Sequence, residues 1–246
     1  MAFRLFFTRC KLFKISIAKI SVLIHNRYDF VKTVCSDYIV ENEHYDFEVS
    51  ASEEEIQKER QNYNSDFSEG FIESVCIYRN IARVLPKYDA IVFHCSAVRV
   101  NNYAYCFTAK SGVGKTTHAL LWKNTLTESV DIINGDKPII RFFNNIPHVC
   151  GTPWSGKENL GTNTIVPLKS IAFISRSISN RIYPIDNKNA FSKLIKQTFM
   201  PDTPELIDNT VTMLGNLISH TTLWHLECNI HKDAAVLAYN AMSSED

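Results

Sequence analysis

Apolar positions along the chain change period several times, and each change predicts an element. Residues 3–24, with the Ile-rich run KLFKISIAKISVLI, read as one or two strands. DYIVENEHYDFEVS predicts a turn at Glu41 to Glu43 between short extended pieces. In SASEEEIQKERQ, Ser52 followed three residues later by Glu55 has capping-box spacing, so a short helix with a solvated charged face is predicted from Glu53. SEGFIESVCIYRNIARVLPKYDA carries a helical period. Phe71, Val75, Tyr78, Ala82 and Leu85 form its expected buried stripe, Ser68 its cap, and Pro86 its stop. Its polar residues, Glu73 and Arg79 among them, are expected to face water.

From residue 90 the period shortens to two. AIVFHCSAVRV predicts a strand, Asn101-Asn102 a two-residue turn, and YAYCFTA the returning strand. THALLWKNTL is helical and ESVDIING a strand. KPIIRFF and IPHVC form a second hairpin around Asn144-Asn145, followed by the long glycine-bearing loop GTPWSGKENLGTN. TIVPLKSIAFISR and NRIYPI are extended, NKNAFSKLIKQTF and PELIDNTVTMLGNLISHT helical, TTLWHLECN a strand and HKDAAVLAYNAM a last helix. Hairpins alongside helix-flanked strands predict an α/β fold with a mixed sheet over 88–246, preceded by a small α+β region over 1–87.

Composition narrows the function classes. The chain has 246 residues, 45% of them hydrophobic, enough for a substantial core. Its 26 basic and 26 acidic residues cancel, so no bulk field draws it to nucleic acid or anionic lipid. Seven scattered cysteines include no C-x-x-C pair and read as reduced, buried thiols of a cytoplasmic protein, with no zinc site expected. Arg4, Arg9, Lys11, Lys14 and Lys19 interrupt every apolar run near the start. Neither a signal-peptide core nor a membrane span is expected there.

The chemistry concentrates in AKSGVGKTT, between a predicted strand and a predicted helix. A phosphate loop is written G-x-x-x-x-G-K-[ST]; here Ala109 takes the place of the first glycine and the rest is intact. Backbone N–H groups of Ser111, Gly112, Val113, Gly114, Lys115, Thr116 and Thr117 can surround phosphate oxygens. Glycines are needed where φ is positive or a Cβ would collide. The helix N-terminus faces the same anion, Lys115 reaches the β- and γ-phosphates, and the Thr116 hydroxyl binds Mg²⁺. Such chemistry needs a carboxylate at a neighbouring strand end, and NGDKP supplies Asp136 as a second metal ligand. His94, on the strand two elements before the loop, is a further candidate. In GTPWSGKENLGTN, Lys157 is a candidate phosphate contact and Trp154 a candidate stacking platform, against a purely structural loop. Arg176 and Arg181 are candidate sources of positive charge.

The order HCSAV, hairpin, AKSGVGKTT, NGDKP resembles the HPr kinase/phosphorylase and phosphoenolpyruvate carboxykinase superfamily of P-loop proteins, above all the HPr-kinase-like proteins of bacteria, over about residues 88–170. The resemblance implies an HPr-kinase-like P-loop core behind a small N-terminal region, with ATP and Mg²⁺ as cofactors. It implies transfer of the γ-phosphoryl group to a serine hydroxyl of a protein or peptide, or to a small molecule, and assembly into a homo-oligomer. It makes His94, Lys115 and Asp136 the expected catalytic residues, with His94 beside the reacting phosphate. It also expects two adjacent acids after the metal strand, and here Gly135 replaces the first. Three consequences stay open: Asp136 or His94 is the base, the acceptor is already ionised, or the protein binds nucleotide as a sensor without efficient transfer. No LSGGQ signature of a transporter ATPase and no N-K-x-D motif of a GTPase occurs.

Overall fold

A computed structural model describes residues 11–244, so Cys10 and the expected strand start before Lys11 lie outside the described residues. Compact packing divides the chain into two units, Met1–Ile81 and Ala82–Asp246.

In the first unit, β1 (Lys11–Ile17) and β2 (Ile20–Asn26) form an antiparallel hairpin. Ala18 and Lys19 turn it, both in the left-handed region at φ 51° and 59°. The sequence pattern gave no sign of the next element, α1 (Asp29–Val34), which at six residues is too short for a period to appear. β3 (Phe47–Ser50) then lies parallel to β2. α2 (Glu53–Arg60) begins as expected: the Ser52 hydroxyl accepts from the Glu55 N–H at 3.1 Å, and the Glu55 carboxylate accepts from the Ser52 N–H at 2.9 Å. α3 (Glu69–Val84) is capped by Ser68, whose Oγ accepts from the Phe71 N–H at 3.2 Å.

The buried face of α3 differs from the expected stripe. Tyr78, Ala82 and the following Leu85 are buried, but Phe71 and Val75 are only half-buried, while Ile72, Cys76, Ile77 and Ile81 are covered. A helix packed around most of its circumference buries residues on both sides of any single stripe, which a one-face reading misses. Glu73 likewise does not face water. It is fully buried and accepts the backbone N–H groups of Arg27 at 2.7 Å and Tyr28 at 3.0 Å. Arg79 pairs at 2.7 Å with Glu59, itself buried.

The second unit is built on a nine-stranded mixed sheet. The expected strand AIVFHCSAVRV is two strands, β4 (Ala90–Val92) and β5 (Ser96–Val100), because the chain changes sheet partners at Phe93–Cys95. β6 (Tyr103–Thr108), α4 (Lys115–Thr125), β7 (Val130–Asn134), β8 (Ile139–Phe143) and β9 (Ile146–Cys150) follow. The turn between β8 and β9 is Asn144-Asn145, at φ 51° and 65°, where asparagine tolerates the left-handed region. Then come β10 (Ile165–Arg176), β11 (Arg181–Pro184), α5 (Asn187–Ile195), α6 (Pro204–His220), β12 (Thr222–Cys228) and α7 (Lys232–Ser243).

Strand order is β4-β8-β9-β10-β6-β5-β7, with β12 also beside β10 and β11 outside β12. β10 changes neighbours along its length: Ile165–Pro167 pair with β9, and from Leu168, across a bulge between Leu168 and Ser170, the strand runs parallel to β6, with β12 joining from Ser170. The mixed sheet was expected from the hairpins, and its faces are covered as an α/β fold requires. One face carries Phe93, Ile171 and Phe173 with Leu194 of α5 and Leu214 and Leu217 of α6. The other carries Phe107 and Ala172 with Trp122 of α4 and Ala234, Ala235 and Ala238 of α7.

β5 is antiparallel to both β6 and β7, and β10 and β12 are parallel to β6. So β6, β7, β10 and β12 all deliver their C-terminal ends to one edge, where open α/β sheets place ligand sites. Among the described residues no helix is long and apolar enough to cross a membrane.

Candidate functional site

The loop AKSGVGKTT, the candidate phosphate loop, leaves β6 at this edge and enters α4. Gly112 and Gly114 lie at φ 79° and 125°, conformations that a Cβ would strain. Ala109 has no such φ, and its side chain joins the apolar cluster under α4. An alanine therefore fits without strain where the motif has glycine. Ser111, Gly112 and Thr117 are exposed, Val113, Gly114 and Thr116 half-buried.

Lys115 is only 7% exposed, and its Nζ donates to the Ala109 carbonyl at 3.3 Å. Burial lowers its pKa from the ordinary lysine value, while the negative charge of Asp136 pulls the other way. A lysine held there with one hydrogen bond at its ammonium has donors left for an anion.

Asp136 follows the end of β7. Asn134 shapes this turn: its Oδ1 accepts the N–H groups of Asp136 at 2.9 Å and Lys137 at 2.8 Å. Its Nδ2 donates across to the Thr152 hydroxyl at 2.9 Å. The Asp136 carboxylate meets His94 Nε2 at 3.3 Å and Lys137 Nζ at 3.2 Å. Burial by itself would raise the pKa of Asp136. The hydrogen bond from His94 and the positive charge of Lys137 outweigh it and hold the carboxyl well below the usual carboxylate range.

His94 sits at the break between β4 and β5, not within a strand. Three backbone bonds tie the break to its surroundings: the Phe93 N–H to the Pro138 carbonyl at 3.1 Å, that of His94 to Gln197 at 2.7 Å, and that of Cys95 to Asp136 at 3.1 Å. Gln197 also meets the ring, with Oε1 3.1 Å from Nδ1, leaving Nε2 toward Asp136.

The Thr116 hydroxyl lies 3.3 Å from both the Gly135 carbonyl and Ser96 Oγ, and Ser96 Oγ donates to the same carbonyl at 2.7 Å. So the structure brings His94, Thr116 and Asp136 around the end of β7. The donors there, two hydroxyls and one ionised carboxylate, are hard oxygens that suit Mg²⁺. Among the described residues no group of three or more His, Cys, Asp or Glu side chains gathers to hold a metal by protein ligands alone.

Gly135 has a structural cause. A Cβ built there would stand 2.7 Å from the backbone oxygen of Ser155. The loop 151–163 packs down on this spot, with the Gly135 N–H donating to the Leu160 carbonyl at 2.9 Å and Thr162 N–H to Ile133 at 3.1 Å. Gly151 is fixed in the same way, since a Cβ would meet the Thr162 oxygen at 1.9 Å. The loop therefore has a structural role at the end of β7. Trp154 is half-buried and Lys157 exposed. Arg176 does reach the phosphate loop, on its backbone, whereas Arg181 is exposed at the outer strand β11.

Three contributors escaped the sequence reading. Ser96 stood inside HCSAV but reads as one more strand residue, Lys137 as an ordinary charge, and Gln197 lies 103 positions from His94 with no motif around it. No family model matches the chain, and no curated protein matches it. Among solved structures, the Hpr(Ser) kinase/phosphatase from Coxiella burnetii is similar at a TM-score of 0.35 and 10% sequence identity, over 61% of this chain and 95% of that one.

Proposed function

We propose that this chain is an ATP-dependent phosphotransferase of the HPr-kinase-like kind, moving the γ-phosphoryl group to a hydroxyl of a protein, peptide or small molecule. The observation that carries the reading is convergence. A phosphate loop with a buried lysine and an ionised Asp136 paired with His94 stand at one edge of one sheet. The loop amides and Lys115 bind and neutralise the phosphates. Thr116 and Asp136 hold Mg²⁺, which when bound offsets charge on the phosphate oxygens. His94, whose ring Gln197 holds at Nδ1, orients the attacking hydroxyl, or takes its proton at Nε2 when the ring is neutral and released from Asp136. Little covalent chemistry is asked of the protein; its contribution is position and electrostatics.

A second reading, a nucleotide-binding sensor without efficient transfer, is favoured by one observation. The place of the missing acid is filled by the loop 151–163, which leaves one carboxylate to serve both metal and acceptor. Calorimetry of ATP with Mg²⁺ on the wild type and Lys115→Ala, with labelled γ-phosphate followed on the same samples, separates the readings. Binding lost in Lys115→Ala, with label passing to an acceptor or to water, supports the phosphotransferase. Binding without turnover supports the sensor. Absence of binding by the wild type rejects both.

A further inference from the structure

Arg176 closes β10 at the edge that carries the phosphate loop. Its guanidinium is directed at the loop's backbone: Nε donates to the Val113 carbonyl at 3.0 Å, and Nη2 donates to the Gly112 carbonyl. Two neighbouring N–H groups of one planar fork thus take two consecutive carbonyls, which a lysine ammonium cannot do with the same geometry.

The consequence lies on the other side of those peptides. In a trans peptide the C=O and the following N–H point in opposite directions. Carbonyls of Gly112 and Val113 turned toward Arg176 therefore turn the N–H groups of Val113 and Gly114 away from it. The Val113 N–H points away from Arg176 and donates to the Lys110 carbonyl at 3.3 Å, a long bond that a phosphate oxygen would have to replace. Inward-facing successive amides are what a phosphate oxygen meets in such a loop. Glycine at 112 and 114, at φ 79° and 125°, lets the peptides take this orientation.

We infer that Arg176 is a positioning residue of the phosphate loop, fixing the Val113 and Gly114 amides in their anion-binding orientation by gripping the loop from behind. It acts through the backbone and not as a ligand of the phosphate, because its side of the peptides is opposite to the amides. This rests on the nucleotide reading proposed above. An open surface depression of about 530 Å³ lies between loop residues 110–113 and strand residues 174–176, so truncating Arg176 leaves a small guanidinium free access to its place.

The test uses the full chain, ¹⁵N-labelled, as wild type, Arg176→Ala and Arg176→Lys. Arg176 is exposed, so both variants are expected to fold with melting temperatures near the wild type. In nucleotide-free protein, the Val113 and Gly114 amide signals are expected to shift and exchange faster in Arg176→Ala. The Kd for ATP with Mg²⁺ should rise about ten- to a hundredfold, the range for losing charge-assisted hydrogen bonds. Methylguanidinium should restore part of that affinity in Arg176→Ala and change nothing in the wild type, while Arg176→Lys stays weakened. Unchanged Val113 and Gly114 amides, or unchanged ATP affinity in Arg176→Ala, would overturn the inference. If the wild type itself binds no ATP, the nucleotide reading falls, and the amide signals of the nucleotide-free protein still decide whether Arg176 sets the loop.

Discussion

Two sheltered carboxylates, one in each unit, are treated in opposite ways. Glu73 is fully buried and its oxygens are occupied by two backbone N–H groups of one chain segment, Arg27 and Tyr28. Burial raises its pKa, only partly offset by those two bonds. Asp136 keeps 28% of its side chain exposed, its partners are the side chains of His94 and Lys137, and its pKa is held low. Backbone partners cannot leave without unfolding the segment, whereas side-chain partners can rotate away when a metal or substrate arrives. What would separate a structural acid from one able to act is therefore less its burial than whether its partners can be exchanged.

The sharpest break of this comparison is Asp136→Asn. Label transfer from ATP is expected to fall about 10²–10⁴-fold, the usual cost of removing a charge or base that acts in the transition state. The melting temperature should fall as well, because a carboxyl held below its usual range stabilises the folded state, but the fold should persist. A variant that unfolds, or one that transfers label as fast as the wild type, would place Asp136 in the same class as Glu73.

Glu73→Ala should do the reverse. Two buried N–H groups lose their acceptor, at about 1–3 kcal/mol each, so urea denaturation should report a loss of about 2–6 kcal/mol. ATP affinity measured below the variant's melting temperature should match the wild type. A change in affinity as large as that of Asp136→Asn would sink the structural assignment.

Gly135 sharpens the contrast from a third side, as a position where an acid was expected and none fits. Gly135→Ala should cost about 1–3 kcal/mol, since its Cβ would meet the Ser155 oxygen at 2.7 Å and force the loop 151–163 outward. Gly135→Asp carries the same Cβ and is expected to give no gain in transfer. Faster transfer by Gly135→Asp would mean that the loop yields readily.

How much of this was legible in the sequence follows from the range of each interaction. The helix starts at Ser52 and Ser68, the Asn144-Asn145 hairpin and the glycine turn between β6 and α4 were readable because their causes lie within a few residues. The break at His94 was not. It follows from partners at Asp136, Pro138 and Gln197, far along the chain, and an apolar run looks the same whether one strand or two will use it. The absence of an acid at 135 was visible, but not its reason, which needs the loop 151–163 in place. Glu73 was misassigned because a single buried acid on a helix leaves no period. Arg176 was noticed only as charge, while its observed contacts are to carbonyls of the phosphate loop's backbone.

The mildest test concerns pH. The folded-state pKa of Glu73 is raised, so the native protein binds this proton more tightly than the unfolded chain does. Ionisation then costs stability. The contribution of Glu73 is greatest below the ordinary glutamate value, about 4.3, falls as pH rises through the raised folded value, and is constant above it. Glu73→Gln has no such proton and keeps one acceptor oxygen for the two N–H groups. Its stability relative to the wild type should therefore improve as pH is raised from about 4. Urea midpoints of both proteins across that window measure the difference. A gap that stays flat with pH would mean that the bonds from Arg27 and Tyr28 fully compensate burial, and Glu73 would then be held, like Asp136, as a stable anion.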